Sequence, residues 1–239
     1  NIALAEIAAK TTFLDCLFII DSAHEKPDRY QCLLKGENAK AFMMQSLFAL
    51  NTELEKYGQH LKIMTGDPAT IVKNYVAENN IQIVVQSENP GIYEKAQFIE
   101  IKSELDALKV AYEIIWQHTI ISTQELIKTG VNFNLSFSNF RKRITPLLKS
   151  KQVVQQIVSL PPSVSIRTRS LAEDQLQQTS LLFDGGCHAG NKHINDYFST
   201  SFPSFYKETR NRLDDWYSST KFSPWLANGS LSVRQVMKG

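Results

Sequence analysis

The chain has 239 residues, one to two domains at roughly 150 residues each. Its 43% hydrophobic and 21% charged residues, with a net charge of +2, fit an ordinary globular protein and exclude a disordered or collagen-like chain. No apolar run approaches the ~18–20 residues that cross a bilayer, no secretory signal pattern is visible, and Cys16, Cys32 and Cys187, with no CxxC, exclude a disulfide framework and a cysteine zinc site and predict a reducing, cytoplasmic setting.

Residues 2–10 are strong helix formers, and Asn1 stands where an N-cap is needed. Residues 13–20 are nearly all apolar, as a strand buried on both faces requires. A polar loop over 21–38 leads to a helix over 39–57, with Phe42, Met43, Ser46, Leu47, Leu50 and Leu54 on one face. Leu61–Met64 is a short strand. In Thr65-Gly66-Asp67-Pro68, Asp67 is a cap and Pro68 a first helical residue, opening a helix to Asn79. A strand over 81–85, a helix over 93–109 and a strand over 112–116 follow. Helix-length connections between strands imply parallel pairing, and right-handed crossovers make this an α/β doubly wound sheet. The chain opens on a helix where a βαβ series places a strand first, so a fragment lacking its first strand is expected.

Regularity fades over 117–180, where Pro161-Pro162, a Ser/Thr/Arg run and a Gln-rich stretch read as a connection. After Gly185-Gly186, Ile194, Tyr197 and Phe198 share a helical face, a second helix covers 203–215, Ser223-Pro224 caps and opens another, and Ser232 caps a last one. The expected organisation is an α/β domain over 1–130, a linker over 131–180 and the start of an all-α domain over 181–239. Some 60 residues are few to close a core of their own.

Charge is uneven. Residues 1–130 carry 12 Lys/Arg against 17 Asp/Glu; residues 131–170 carry seven bases (Arg141, Lys142, Arg143, Lys149, Lys151, Arg167, Arg169) and no acid. Such a segment either faces a polyanion or is a solvated connector. The chemistry concentrates further on. Tyr217-Ser218-Ser219-Thr220-Lys221-Phe222-Ser223-Pro224 sets four Ser/Thr hydroxyls and an ammonium in a loop entering a helix, a combination that suits a phosphate and is equally a capped helix start. Tyr206, Lys207, Arg210 and Arg212 could add anion-binding groups. The five histidines show no metal-ligand spacing and read as surface residues; Trp116, Trp216 and Trp225 read as packing residues.

The wording of these segments is specific. Tyr206-Lys207-Glu208-Thr209-Arg210-Asn211, then Tyr217 to Ala227, then Gly229, Leu231-Ser232 and Arg234 resemble the photolyase/cryptochrome family, closest to its cryptochrome-DASH branch. Gly185-Gly186 with Asp196-Tyr197-Phe198, Asn1 to Ala5, Thr65 to Pro68 and Asn139 to Arg143 fall in the family's order. The resemblance implies a Rossmann-like α/β domain linked to a helical domain that holds FAD. It assigns Ser219, Thr220, Lys221, Phe222 and Ser223 to the loop around the FAD diphosphate, with Tyr206 bonding a flavin phosphate, Lys221 adding charge and Phe222 apolar contact.

The resemblance also implies a photochemical lyase. Reduced flavin absorbs blue light and lends an electron to a cyclobutane pyrimidine dimer flipped out of DNA, so no catalytic acid, base or metal is needed. The cryptochrome-DASH branch implies damaged single-stranded DNA as partner, a monomeric protein and no membrane. Family members that carry a methenyltetrahydrofolate antenna have a glutamate near the position of Gly91, where this chain has Asn89-Pro90-Gly91. The flavin-ring and lesion-binding segments of the family lie beyond Gly239. Two other readings compete: a flavin-binding photoreceptor without repair activity, and a stand-alone nucleotide-binding module.

Overall fold

In the computed structural model, the described residues are 1–27, 29–131, 134–148, 157, 159–164, 181–212 and 216–238. Helix α1 (Ile2–Ala8) starts as expected, with the Leu4 amide donating to Asn1 Oδ1 at 3.0 Å. Strand β1 (Cys16–Asp21) follows, then α2 (Glu37–Glu55), β2 (Leu61–Gly66), α3 (Pro68–Asn79), β3 (Ile83–Ser87), α4 (Ile92–Ala107) and β4 (Ala111–Ile115). Asp67 caps α3 by accepting from the Thr70 amide at 2.8 Å, with Pro68 in its first turn.

All pairing is parallel, β1 with β2 and β3 with β4. Alternation along β1 divides its side chains between two helical layers. Cys16 and Phe18 pack toward α1 and α2 with Leu4, Leu47 and Leu54; Ile19 packs toward α3 and α4 with Val72, Val76, Ile101 and Leu105. This is the expected α/β architecture with helices on both faces. The four strands form two separate two-stranded ladders rather than one continuous sheet. Leu50, expected on the buried face of α2, is exposed.

The stretch expected to be irregular contains two helices. Helix α5 (Thr123–Lys128) opens on a capping box in which Ser122 and Glu125 bond each other's backbone amides. Helix α6 (Phe137–Leu148) packs Phe140, Ile144 and Leu147 against Ile121, Leu126 and Val131. Arg141, Lys142 and Arg143 are exposed on α6, whereas Lys149, Lys151, Arg167 and Arg169 lie outside the described residues.

Residues 160–164 are anchored rather than solvated. Leu160 packs beside Leu47 and Leu61, the Leu14 amide donates to Pro162 O at 3.0 Å, and the Val164 amide donates to Asp15 Oδ1 at 3.1 Å. Behind them Lys62 Nζ lies 2.6 Å from Asp15 Oδ2, with side-chain exposures of 7% and 4%. Burial alone would raise the Asp15 pKa. Hydrogen bonds from Lys62, Ser163 and Tyr75, with the Lys62 charge, reverse this and hold the carboxyl below its ordinary value. The Tyr75 hydroxyl, buried and donating to Asp15, is correspondingly raised.

The remaining elements are helical: α7 (Cys187–Phe198), α8 (Phe202–Thr209), α9 (Ser223–Ala227) and α10 (Val233–Lys238). The helix expected over 203–215 ends at Thr209, and a 3₁₀ turn covers Trp216–Ser218. Ser232 caps α10 reciprocally with Gln235. No helix among the described residues is long and apolar enough to cross a membrane.

Candidate functional site

These last helices close a core together with a side chain of α2. Trp225 is 3% and Leu231 2% exposed, packed with Ile194, Tyr197 and Phe222. The cluster succeeds because aromatic rings bury a large area per residue and because α2 contributes Phe42, edge-on to Trp225 at 6.2 Å. Gly190 permits the close approach of α7: a β-carbon there would stand 2.8 Å from Leu231 and 3.0 Å from Trp225. Gly186 takes a φ of +95° and lies against Ala49, while the amides of Gly185 and Gly186 donate to Gln45 Oε1 and Ser46 Oγ at 2.7 and 3.0 Å.

The hydroxyl loop is mounted on this cluster. The Phe222 ring anchors it from below, 5.4 Å from Tyr197 and 5.6 Å from His193. His193 Nε2 lies 2.9 Å from the Thr220 carbonyl oxygen, a hydrogen bond that holds the peptide between Thr220 and Lys221. The Thr209 hydroxyl donates to Ser218 O at 3.0 Å, fixing the loop's entry. Lys221 bends the chain at φ +54°, and its ammonium donates to Ser219 Oγ at 3.1 Å.

The positions given by the sequence fare differently. Ser219, Thr220 and Lys221 are half-buried neighbours in the loop. Ser223 is exposed, and it is the first residue of α9 rather than its cap; Phe222 occupies the cap position without a side-chain bond. Helix α9 has only five residues, so its dipole adds little to anion binding. The Phe222 ring is 3% exposed and packs in the core cluster. Tyr206 is 38% exposed on α8, and its phenol helps raise the pKa of Tyr197, after burial.

Ser218 Oγ is 1% exposed and has no hydrogen-bond partner among the described residues. An orphaned buried hydroxyl beside two further hydroxyls and an ammonium matches the donor set a diphosphate requires.

His193 is the residue that sequence reasoning missed. It is half-buried between Phe222 and Trp225 rather than on the surface. Its position one residue before Ile194, beside the apolar face of α7, was the available signal. Of the other tryptophans, Trp216 stacks on Phe183 at 5.3 Å and Trp116 Nε1 donates to Thr119. The described residues contain no group of three or more His, Cys, Asp or Glu able to hold a metal ion.

The family model described as DNA photolyase matches residues 1–159. A cryptochrome DASH from Idiomarina loihiensis is 37% identical over 99% of this chain and 53% of its own length. A cryptochrome DASH from Natronomonas pharaonis is 25% identical over 98% of this chain and 52% of its own. In fold, a Synechocystis cryptochrome structure covers the whole chain with a TM-score of 0.82 at 23% identity, and 51% of that structure is matched. The chain thus spans about half the length of the relatives it matches. A Sulfolobus tokodaii photolyase determined with two FAD molecules covers it with a TM-score of 0.68 at 19% identity. Sequence and fold agree: the chain belongs to the DNA photolyase family, alongside cryptochrome DASH proteins.

Proposed function

We propose that the chain supplies the α/β domain, the connecting segment and the first flavin-phosphate contacts of a blue-light-driven, FAD-dependent photolyase of cryptochrome-DASH type. Its substrate in this reading is a cyclobutane pyrimidine dimer in single-stranded DNA. The observation that carries the reading is the bend at Ser219–Ser223, where hydroxyls and an ammonium gather on a loop braced by Phe222 and His193. Ser219, Thr220, Lys221 and Ser223 would hold the diphosphate of FAD, with Tyr206 reaching a phosphate oxygen from α8. Bound FAD supplies light absorption and the electron that splits the dimer. The residues of this chain bind and orient, and they need no acid, base or metal for that task. Three free thiols suit a reducing, cytoplasmic setting.

The test uses the full-length protein that carries this chain. It purifies yellow, and blue light reverses thymine dimers in a single-stranded oligonucleotide. Ser219→Ala with Thr220→Ala removes hydrogen bonds to a charged group worth about 1.5–3 kcal/mol each, so flavin affinity falls more than about tenfold. Unchanged flavin occupancy in that variant rejects the phosphate assignment. Retained flavin with no dimer reversal identifies a photoreceptor instead.

A further inference from the structure

The peptide between Thr220 and Lys221 is held in the less relaxed of its two orientations. Lys221 takes a φ of +54°, a left-handed value that a residue with a β-carbon adopts only against its preference. Turning this peptide over by about 180° would return φ to the negative range, as the two commonest turn types are related, and would exchange the directions of its carbonyl and its amide.

What opposes that turn is His193. A carbonyl oxygen only accepts, so the 2.9 Å contact between His193 Nε2 and Thr220 O places the ring proton on Nε2. The ring is itself fixed, 5.0 Å from Trp225 and edge-on to Phe222 at 5.6 Å. The peptide is trans, so with its carbonyl drawn toward these rings its N–H points the opposite way. Among the described residues, the Lys221 amide has no hydrogen-bond partner. Phe222 follows at φ −74° and ψ −14°. Left- and right-handed residues in succession are the backbone arrangement whose amides converge on an anion.

We propose that His193 is the positioning residue of the flavin-phosphate loop. It bars the Thr220–Lys221 peptide from turning over, and so presents the Lys221 N–H, rather than the Thr220 carbonyl oxygen, to the diphosphate of FAD. A carbonyl oxygen in that place would repel the phosphate. The inference rests on the diphosphate reading given above and adds to it the residue behind the loop. Histidine suits the role because its ring fills the aromatic cluster while its Nε2–H donates, two duties that substitution can separate.

In the full-length protein, His193→Phe keeps a ring in the cluster and removes the donor, whereas His193→Gln removes the ring and keeps a side-chain N–H. The unfolding midpoint follows the ring: near that of the parent in His193→Phe, lower in His193→Gln. Hold on FAD follows the donor. Release of FAD, read from recovered flavin fluorescence, is about tenfold to a hundredfold faster in His193→Phe, as for one lost hydrogen bond to a charged group, and within about threefold of the parent in His193→Gln. The phosphorus resonances of bound FAD shift in His193→Phe and not in His193→Gln. One measurement needs no variant: loading the parent with FAD slows hydrogen exchange at the Lys221 amide. Release that follows the unfolding midpoint overturns the proposal, as does an unchanged release rate in His193→Phe or a Lys221 amide that exchanges equally fast with and without FAD. Where Ser219→Ala with Thr220→Ala weakens flavin binding and His193→Phe does not, this inference alone fails. Where neither does, the diphosphate reading fails with it.

Discussion

The aromatic cluster around Trp225 and the strand region differ in how they are closed. In the cluster, short helices are drawn together by rings from α7 and α9 and by Phe42 of α2, and the interior is filled to the point that Gly190 admits no β-carbon. In the strand region, longer elements pair as two separate ladders, and every residue of β1 and β3 remains half-buried. What compensates there is polar: the Lys62–Asp15 pair, satisfied by Tyr75 and Ser163, fastens β1, β2 and the 160–164 segment together. Element length is thus a poor guide to closure. The size and shape of the side chains that meet decide it.

Removing the centre of the closed region has the largest expected effect. Trp225→Ala leaves a cavity among the rings of Phe42, Phe183 and His193 and an unpaired Asp184 carbonyl, and costs about 4–5 kcal/mol in urea unfolding. A loss below 1 kcal/mol would place the cluster's stability elsewhere.

In the open region the vulnerable point is ionic. Asp15→Asn strands the buried Lys62 charge and costs about 3–4 kcal/mol, whereas Asp15→Leu with Lys62→Met recovers most of it. Because the folded-state pKa of Asp15 is depressed, its contribution is complete above the ordinary carboxylate pKa of ~3.9 and is lost as pH falls through the lower folded value. Acid titration of stability should therefore be steeper in the parent than in Asp15→Asn. Identical acid limbs would show that the pair does not govern this region.

The finest contrast is steric. Gly190→Ala should cost about 1–3 kcal/mol by overpacking. Val84→Ile adds one methylene at a half-buried strand position and should change stability by no more than about 0.5 kcal/mol. Equal costs at the two sites would erase the distinction between the closely packed cluster and the half-buried strands.

Strand and helix positions were legible wherever a local signal recorded them. Asp67-Pro68 and Asn1 act through neighbouring backbone amides, so their role is written within four residues. Ser122-x-x-Glu125 is the same kind of signal and could have revealed α5. The split of the sheet was not legible, because which strands pair depends on chain segments far apart in sequence. At the candidate site, hydroxyl and ammonium groups could be located from the sequence, but the destination of a ring could not. Phe222 looks available in the sequence, yet in the fold Tyr197 and Phe198 claim it. His193 looked like a surface residue for the converse reason, since its partner is the carbonyl of Thr220, 27 positions away.

Helix α2 behaves as a party wall. Leu47 and Leu54 furnish the room on the strand side, Phe42 the room around Trp225, and Gln45 and Ser46 receive the amides of Gly185 and Gly186. An α-helix turns by about 100° per residue. A single-residue insertion after Ser46 therefore swings one set of tenants out of alignment with the other, however mild the inserted side chain. This stretch can exchange residues, but it cannot change its length.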